Sequence, residues 1–203
     1  MNADGKHFDA VVVGSGFGGS INALRLTQAG KSVLVLERGK RYKPGEFPRD
    51  VTDVKNLFWR YPKHPDFRGL YEMRFFSGIS AVVASGVGGG SLIYANIHIR
   101  PDSSLFDDPH WPQSINRQSL DPYYDKVAAM LGIAPIPPEI KLIKRDVYRE
   151  AARKTGHEVF DPDQAVSWKE PVGPGREACR LTAECEFGCQ YGAKNTLDLT
   201  YLA

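Results

Sequence analysis

Six consecutive residues, Gly14-Ser15-Gly16-Phe17-Gly18-Gly19, and one acid, Glu37, carry the strongest chemical signal in the chain. Glycines at this spacing suit a backbone that must meet a pyrophosphate. Gly14 permits a tight exit from a strand, Gly16 lets phosphate oxygens approach without meeting a Cβ, and Gly19 lets a following helix pack closely on a sheet. A helix starting there offers unpaired N–H groups and a partial positive charge to an anion. Glu37 stands about twenty residues on, where a carboxylate accepts hydrogen bonds from ribose hydroxyls and disfavours a 2′-phosphate. Ser15, Phe17, Gly18 and Arg38 fall within the same two segments and join the candidate site. A glycine turn alone is a weak signal, because a purely structural turn uses the same residues.

A second stretch is Gly86-Val87-Gly88-Gly89-Gly90-Ser91, followed by Tyr94-Ala95-Asn96. Four glycines in five positions cost chain entropy on folding unless bare backbone is needed. Bare backbone here would let a flat ring or a pyrophosphate lie against N–H groups. The other reading is a glycine-rich hinge or bulge.

The elements around the first stretch give it context. Ala10-Val11-Val12-Val13 suits a strand buried on both faces, and Ile21, Leu24 and Leu26 among polar neighbours suit a helix that stops near Gly30. Val33-Leu34-Val35-Leu36 reads as a second strand ending at Glu37. Strand, glycine turn, helix, strand and acid form the order of a dinucleotide-binding βαβ unit, so the fold class is α/β with a Rossmann-like core. From 40 to 68, Pro44, Pro48, Pro62 and Pro65 break the pattern into a long ordered loop with a short helix over Val54–Arg60. Its aromatics, Phe47, Phe58, Trp59, Tyr61 and Phe67, anchor the loop to the core more readily than they cover a cofactor. Tyr71–Phe76 and Ile79–Ala84 read as extended segments joined at Ser77-Gly78.

Further on, Asp107-Asp108 reads as solvated loop acids, since neighbours in extended chain point apart. Asp121-Pro122 offers a helix cap and a first-turn proline, followed by the apolar stripe Tyr124, Val127, Ala128 and Leu131 up to Gly132. Pro135, Pro137 and Pro138 form a rigid connector, and Ile140–Thr155 predicts a second amphipathic helix closing at Gly156. Its basic residues, Lys144, Arg145, Arg149, Arg153 and Lys154, read as a solvated face.

The 203 residues carry a net charge of +2, which gives no electrostatic case for nucleic acid. No apolar run reaches the ~18 residues of a membrane span. Met1 to Lys6 shows no signal-peptide core, so the expected location is cytoplasmic. Cys179, Cys185 and Cys189 stand too sparsely for a zinc or iron–sulfur site, each of which takes four ligands, so free thiols are expected and no metal.

The glycine fingerprint, Glu37-Arg38-Gly39 and Gly86-Val87-Gly88-Gly89-Gly90-Ser91 together resemble the glucose–methanol–choline (GMC) oxidoreductases, and within them the branch of the cholesterol oxidases. Leu24-Arg25-Leu26-Thr27-Gln28-Ala29-Gly30, Gly192-Ala193-Lys194-Asn195-Thr196-Leu197 and Tyr201-Leu202-Ala203 are similar to that branch as well. The resemblance implies FAD as cofactor and oxidation of an alcohol or sterol CH–OH group, with hydride transfer to the flavin. It assigns Gly14, Gly16 and Gly19 to the pyrophosphate, Glu37 to the ribose, and Gly88, Gly89, Gly90 and Ser91 to the flavin side. Many members have Asn-Gly-Gly where this chain has Tyr94-Ala95-Asn96; Asn96 either offers its amide to the ring or caps a turn. Some relatives carry a denser cysteine cluster in the loop where this chain has Thr182.

None of His7, His64, His98, His110 and His157 falls in the family's catalytic motif, which belongs near the end of a longer chain, so no catalytic residue is assigned. His98 is the nearest candidate, with a satisfied strand histidine as the alternative. The expected division is an FAD-binding core over 1–100, then loops and helices over 101–203 that begin a substrate region and return toward the core. The reading is the N-terminal portion of an oxidoreductase acting on a small-molecule alcohol or sterol. Its alternatives are a different flavin dehydrogenase, or a remnant or subunit that never turns over alone. With the apolar Leu199-Thr200-Tyr201-Leu202-Ala203 at its end and no catalytic histidine, the chain alone is expected not to oxidise alcohols.

Overall fold

A computed structural model describes residues 5–61, 63–170 and 172–203; Met1 to Asp4, Pro62 and Pro171 lie outside the described residues. Strand β1 (Ala10–Val13) leads through the glycine turn into helix α1 (Phe17–Gln28) and back through β2 (Val33–Leu36). β1 and β2 pair in parallel, with Ala10 opposite Val33 and Val13 opposite Leu36. The Gly14 N–H extends this ladder by donating to the Leu36 carbonyl at 2.7 Å. A Cβ on Gly19 would stand 2.0 Å from the Gly14 carbonyl oxygen and 3.3 Å from Val12 Cγ1, so glycine sets how closely α1 lies on the strand.

One expectation for β1 fails: it is not buried on both faces. Val11 is 56% exposed and Val13 83% exposed. Alternation sends Ala10 and Val12 toward α1 and the odd residues to the opposite side, where no described element packs.

The proline-rich stretch contains more structure than a loop with one helix. Helix α2 (Val54–Leu57) ends three residues before Arg60, at a Phe58 already in extended geometry. A hairpin of β3 (Trp59–Tyr61) and β4 (His64–Arg68) follows, where aromatic residues suit a half-buried strand. Trp59 is buried, with the Arg38 and Arg68 guanidinium groups each 5.1 Å from its ring centre. Phe47 is buried too, so two of the five loop aromatics anchor the loop in the core as expected. β5 (Tyr71–Phe76) and β6 (Ile79–Ala84) form the antiparallel hairpin read from the sequence, with Phe76 opposite Ile79 around Ser77-Gly78.

Helix α3 (Arg117–Leu131) starts four residues before Asp121. The side chain of Asn116 accepts from the Ser119 N–H at 2.8 Å, and the Ser119 hydroxyl accepts from the Asn116 N–H at 3.1 Å. That reciprocal cap displaces Asp121-Pro122 from the start of the helix. Pro122 sits in the second turn, where it forgoes one intrahelical bond, and Asp121 pairs with Arg117 and Arg100. The helix closes at Gly132, whose φ of 56° is left-handed.

Helix α4 (Ile143–Thr155) begins three residues after Ile140 and closes at Gly156. Its faces are turned differently from the expectation. Ile143 and Val147 are exposed, while Arg145 is largely covered, donating to the Ile140 carbonyl and lying 3.6 Å from Asp161.

Two apolar clusters hold these pieces. Tyr42, Phe47, Leu70, Ala84 and Leu92 form one beneath the hairpins. Leu131, Ala165, Leu197 and Tyr201 form the other, packed on by Ile21, Leu24 and Val127, which joins α1, α3 and the end of the chain. β7 (Ile97–His98) pairs antiparallel with β8 (Asp163–Gln164), and so returns the later half of the chain to the segment that follows the second glycine stretch.

Candidate functional site

The two glycine stretches meet. Ser15, at the turn after β1, donates its hydroxyl to Glu37 Oε2 at 2.6 Å and its N–H to the same oxygen at 3.0 Å. The same hydroxyl oxygen accepts the Gly88 N–H at 3.1 Å. One buried serine thus links the acid at the end of β2, the first glycine turn and the second glycine stretch. Glu37 Oε1 accepts the Gly39 N–H at 3.0 Å and keeps a lone pair to spare. Burial works to raise the Glu37 pKa, but the hydrogen bonds from Ser15, Gly39 and Arg38 outweigh it, and the carboxyl is held below its ordinary range.

Gly88 and Gly89 both adopt left-handed φ, 105° and 54°. A Cβ on Gly89 would stand 2.7 Å from the Gly16 Cα, so side chains are excluded where the stretches cross. Around Gly14, Gly16 and Gly18, by contrast, the Cβ positions have no atom within 4 Å. That side is a bare backbone cradle. It lies at the N-terminus of α1, whose cap residue Gly16 offers no side chain to the first-turn N–H groups.

The remaining candidates divide. Ser91 belongs to the same knot: its hydroxyl donates to the Gly88 carbonyl at 2.8 Å and accepts the Leu197 N–H at 3.1 Å. Gly90 faces Phe17, whose ring meets Tyr94 edge-on at 5.6 Å. Asn96 is fully buried with φ 65°; neither its amide oxygen nor its amide nitrogen forms a hydrogen bond of normal geometry, and the side chain lies against the Cys185 thiol. Gly86 is a packing glycine, since a Cβ there would strike Leu92 at 2.7 Å. Arg38 is engaged elsewhere, by Glu72 and the Trp59 ring. His98 Nε2 lies 3.2 Å from the Tyr94 hydroxyl; burial lowers its pKa, against a smaller opposing pull from Asp163.

Beside Gly90 opens an apolar cavity of about 1020 Å³, walled by Leu57, Phe58, Met73, Val82, Ile93, Tyr94 and Phe187. Gly90 is the residue of the second glycine stretch that lines it, and one wall is the β5–β6 hairpin, which the sequence did not mark as part of a site.

Two more features were missed from sequence. Lys194 is 1% exposed, and its Nζ donates to three backbone carbonyls. Asp198 is buried with Oδ1 unpartnered, and a Cβ on Gly88 would stand 3.2 Å from that oxygen. Nothing in their spacing signals this; only the resemblance of the run Gly192–Leu197 touched the region. Cys179, Cys185 and Cys189 are free thiols, and among the described residues no three His, Cys, Asp or Glu side chains are grouped as metal ligands. Burial raises the thiol pKa of Cys179 and Cys185.

Comparison with known proteins decides the family. The GMC oxidoreductase family, in its N-terminal part, matches residues 8–203. The chain belongs to the GMC oxidoreductases. A cholesterol oxidase from Acinetobacter baumannii is 31% identical over 222 residues, covering 100% of this chain and 39% of that protein. A cholesterol oxidase from Mycobacterium tuberculosis is 33% identical, covering 96% of this chain and 36% of that protein. This GMC oxidoreductase chain therefore spans less than two fifths of the length of these relatives. Among solved structures, an FAD-dependent oxidoreductase from Chaetomium thermophilum superposes with a TM-score of 0.50 at 21% identity, covering 79% of this chain and 34% of that one, a likeness of fold.

A GMC oxidoreductase domain of this kind takes a flavin cofactor, and the residues present fit one. The cradle at Gly14 and Gly16 has room that a Cβ would fill, the N–H groups of α1 are free of a side-chain cap, and a buried amide at Asn96 lacks a hydrogen bond of normal geometry. No helix among the described residues is long and apolar enough to cross a membrane.

Proposed function

We propose that this chain is the FAD-binding portion of an enzyme that oxidises the CH–OH group of an apolar alcohol or sterol. The observation that carries the reading is the crossing of the two glycine stretches through Ser15, beside an apolar cavity. An open backbone cradle at Gly14–Gly18, crossed by a second stretch of bare backbone, suits a long nucleotide with a phosphate middle and a flat end. Bound FAD supplies the hydride acceptor.

In this reading the chain's own residues bind and orient. The Gly14–Gly16 turn and the N-terminus of α1 receive the pyrophosphate, whose charge the helix end favours. Glu37 accepts from the adenosine ribose through the lone pair left on Oε1. The backbone of Gly88–Ser91 lies along the flavin end, and the Asn96 amide offers one donor and one acceptor to the ring edge. The apolar wall of the β5–β6 hairpin excludes water and holds an apolar substrate over the ring. The names of the cholesterol oxidase relatives support a sterol or similar alcohol.

The test is a titration of the purified chain with FAD, followed by flavin fluorescence. Quenching that saturates, and that NAD cannot compete away, is expected. Equal or tighter binding of NAD overturns the assignment.

A further inference from the structure

Lys194 is the largest fully buried side chain among the described residues, and it carries a charge. Its Nζ donates to the carbonyls of Leu92 at 3.0 Å, Tyr94 at 2.8 Å and Cys185 at 2.8 Å. An ammonium has three protons and accepts nothing, so three carbonyls saturate it. The group also stands 4.9 Å from the centre of the Tyr94 ring. Among the described residues no carboxylate lies within ion-pair distance of it; backbone oxygens and the face of the Tyr94 ring hold the charge.

The origin of those carbonyls matters. Leu92 and Tyr94 directly follow the second glycine stretch, and Cys185 opens the single turn Cys185–Phe187 in the cysteine loop. Without the lysine, three carbonyl dipoles would converge on each other with nothing between them. Nothing else in the proposed function uses this residue.

We propose that Lys194 is a positioning residue for the flavin site: its ammonium gathers the Leu92, Tyr94 and Cys185 carbonyls and so holds the loop Gly88–Asn96 in the shape that receives FAD. The inference rests on the FAD reading above, but its first consequence, the order of the loop, does not. A neutral amine has two protons and turns its lone pair toward the third carbonyl, so the clamp depends on charge. Burial lowers the Nζ pKa to about 8, against opposing pulls from Cys185, Cys189, Glu186 and Asp198, the titratable groups that face it. The Tyr94 phenol, pushed up to about 12, stays neutral throughout this range. FAD that needs the charged clamp therefore binds best below pH 8 and loses affinity as pH rises through it.

Two measurements on the full 203-residue chain test this. The first is amide hydrogen exchange over Gly88–Asn96 at pH 7, comparing wild type with Lys194→Met. The second is the FAD dissociation constant of wild type, Lys194→Met and Lys194→Arg at pH 7 and pH 9. Faster exchange in the methionine variant is expected, together with about tenfold weaker FAD binding in wild type at pH 9 than at pH 7, the step from a charged to a neutral hydrogen bond. Lys194→Met should bind weakly at both pH values, and Lys194→Arg, which stays charged, should show little pH dependence. Unchanged exchange in a folded Lys194→Met overturns the proposal, and so does a flat wild-type affinity from pH 7 to 9. If the methionine variant does not fold, the wild-type pH series decides. Faster exchange in a chain that binds FAD at neither pH would keep the clamp and defeat the FAD reading instead.

Discussion

Gly16 and Gly89 press backbone against backbone: a Cβ on Gly89 would stand 2.7 Å from the Gly16 Cα, while a Cβ on Gly16 would meet nothing within 4 Å. Two glycines at one crossing therefore have opposite reasons to be glycine. Gly89 is required by the fold, and Gly16 leaves room on the open side.

The pair predicts a split between stability and binding. Gly89→Ala meets the Gly16 backbone and also strains a φ of 54°, and should lower unfolding free energy by about 2 kcal/mol or more. Gly16→Ala should stay within about 0.5 kcal/mol of wild type, yet weaken FAD binding about tenfold or more by filling the cradle. Urea unfolding and a fluorescence titration of both variants measure this. A Gly16→Ala chain that binds FAD like wild type would remove the pyrophosphate from this turn.

Glu37→Ala tests the ribose contact. Loss of a charge-assisted hydrogen bond should cost about 1–3 kcal/mol in FAD affinity. A wild-type dissociation constant in a variant that keeps its circular dichroism spectrum would refute the assignment.

The same carboxylate makes a pH prediction. Its pKa in the folded chain is below the ordinary value of 4.5. As the pH falls through that range the unfolded chain takes up its proton first, so this contribution to stability is present above pH 4.5 and is lost on acidification. The urea midpoint should fall as the pH drops from about 5 to about 3, and fall less in Glu37→Gln. Parallel curves for the two proteins would show that Glu37 contributes nothing to acid sensitivity.

Asn96→Gly keeps the left-handed backbone available and removes the buried amide. The ligand-free chain should lose about 1 kcal/mol or less, whereas the rise in melting temperature on adding FAD should shrink. A full FAD-induced rise in the variant would place the amide outside the flavin contacts.

What the sequence disclosed follows a physical division. The βαβ unit, the Ser77-Gly78 hairpin and the helix ends at Gly132 and Gly156 were legible, because each rests on local backbone preference or a short period. The β3–β4 hairpin was not, since its strands are defined by each other across a stretch crowded with prolines. Two caps competed for the start of α3. Asp121-Pro122 has the right residue types, yet Asn116 and Ser119 satisfy each other in both directions. Lys194 was invisible because its environment comes from carbonyls remote in sequence, and a lysine in print is a surface residue by default. The second glycine stretch announced a bare surface, but only the fold revealed that Ser15 is the residue it touches.

The uncovered side of β1 and β2 has a colloidal consequence. Val11, Val13 and Leu36 present apolar area next to strand edges that lack a further partner among the described residues. Such a surface adheres to other extended chains in crowded solution. The isolated chain should scatter light increasingly with concentration, and a single charge at Val13, the most exposed of the three, should clarify it without disturbing the α1 side of the strand.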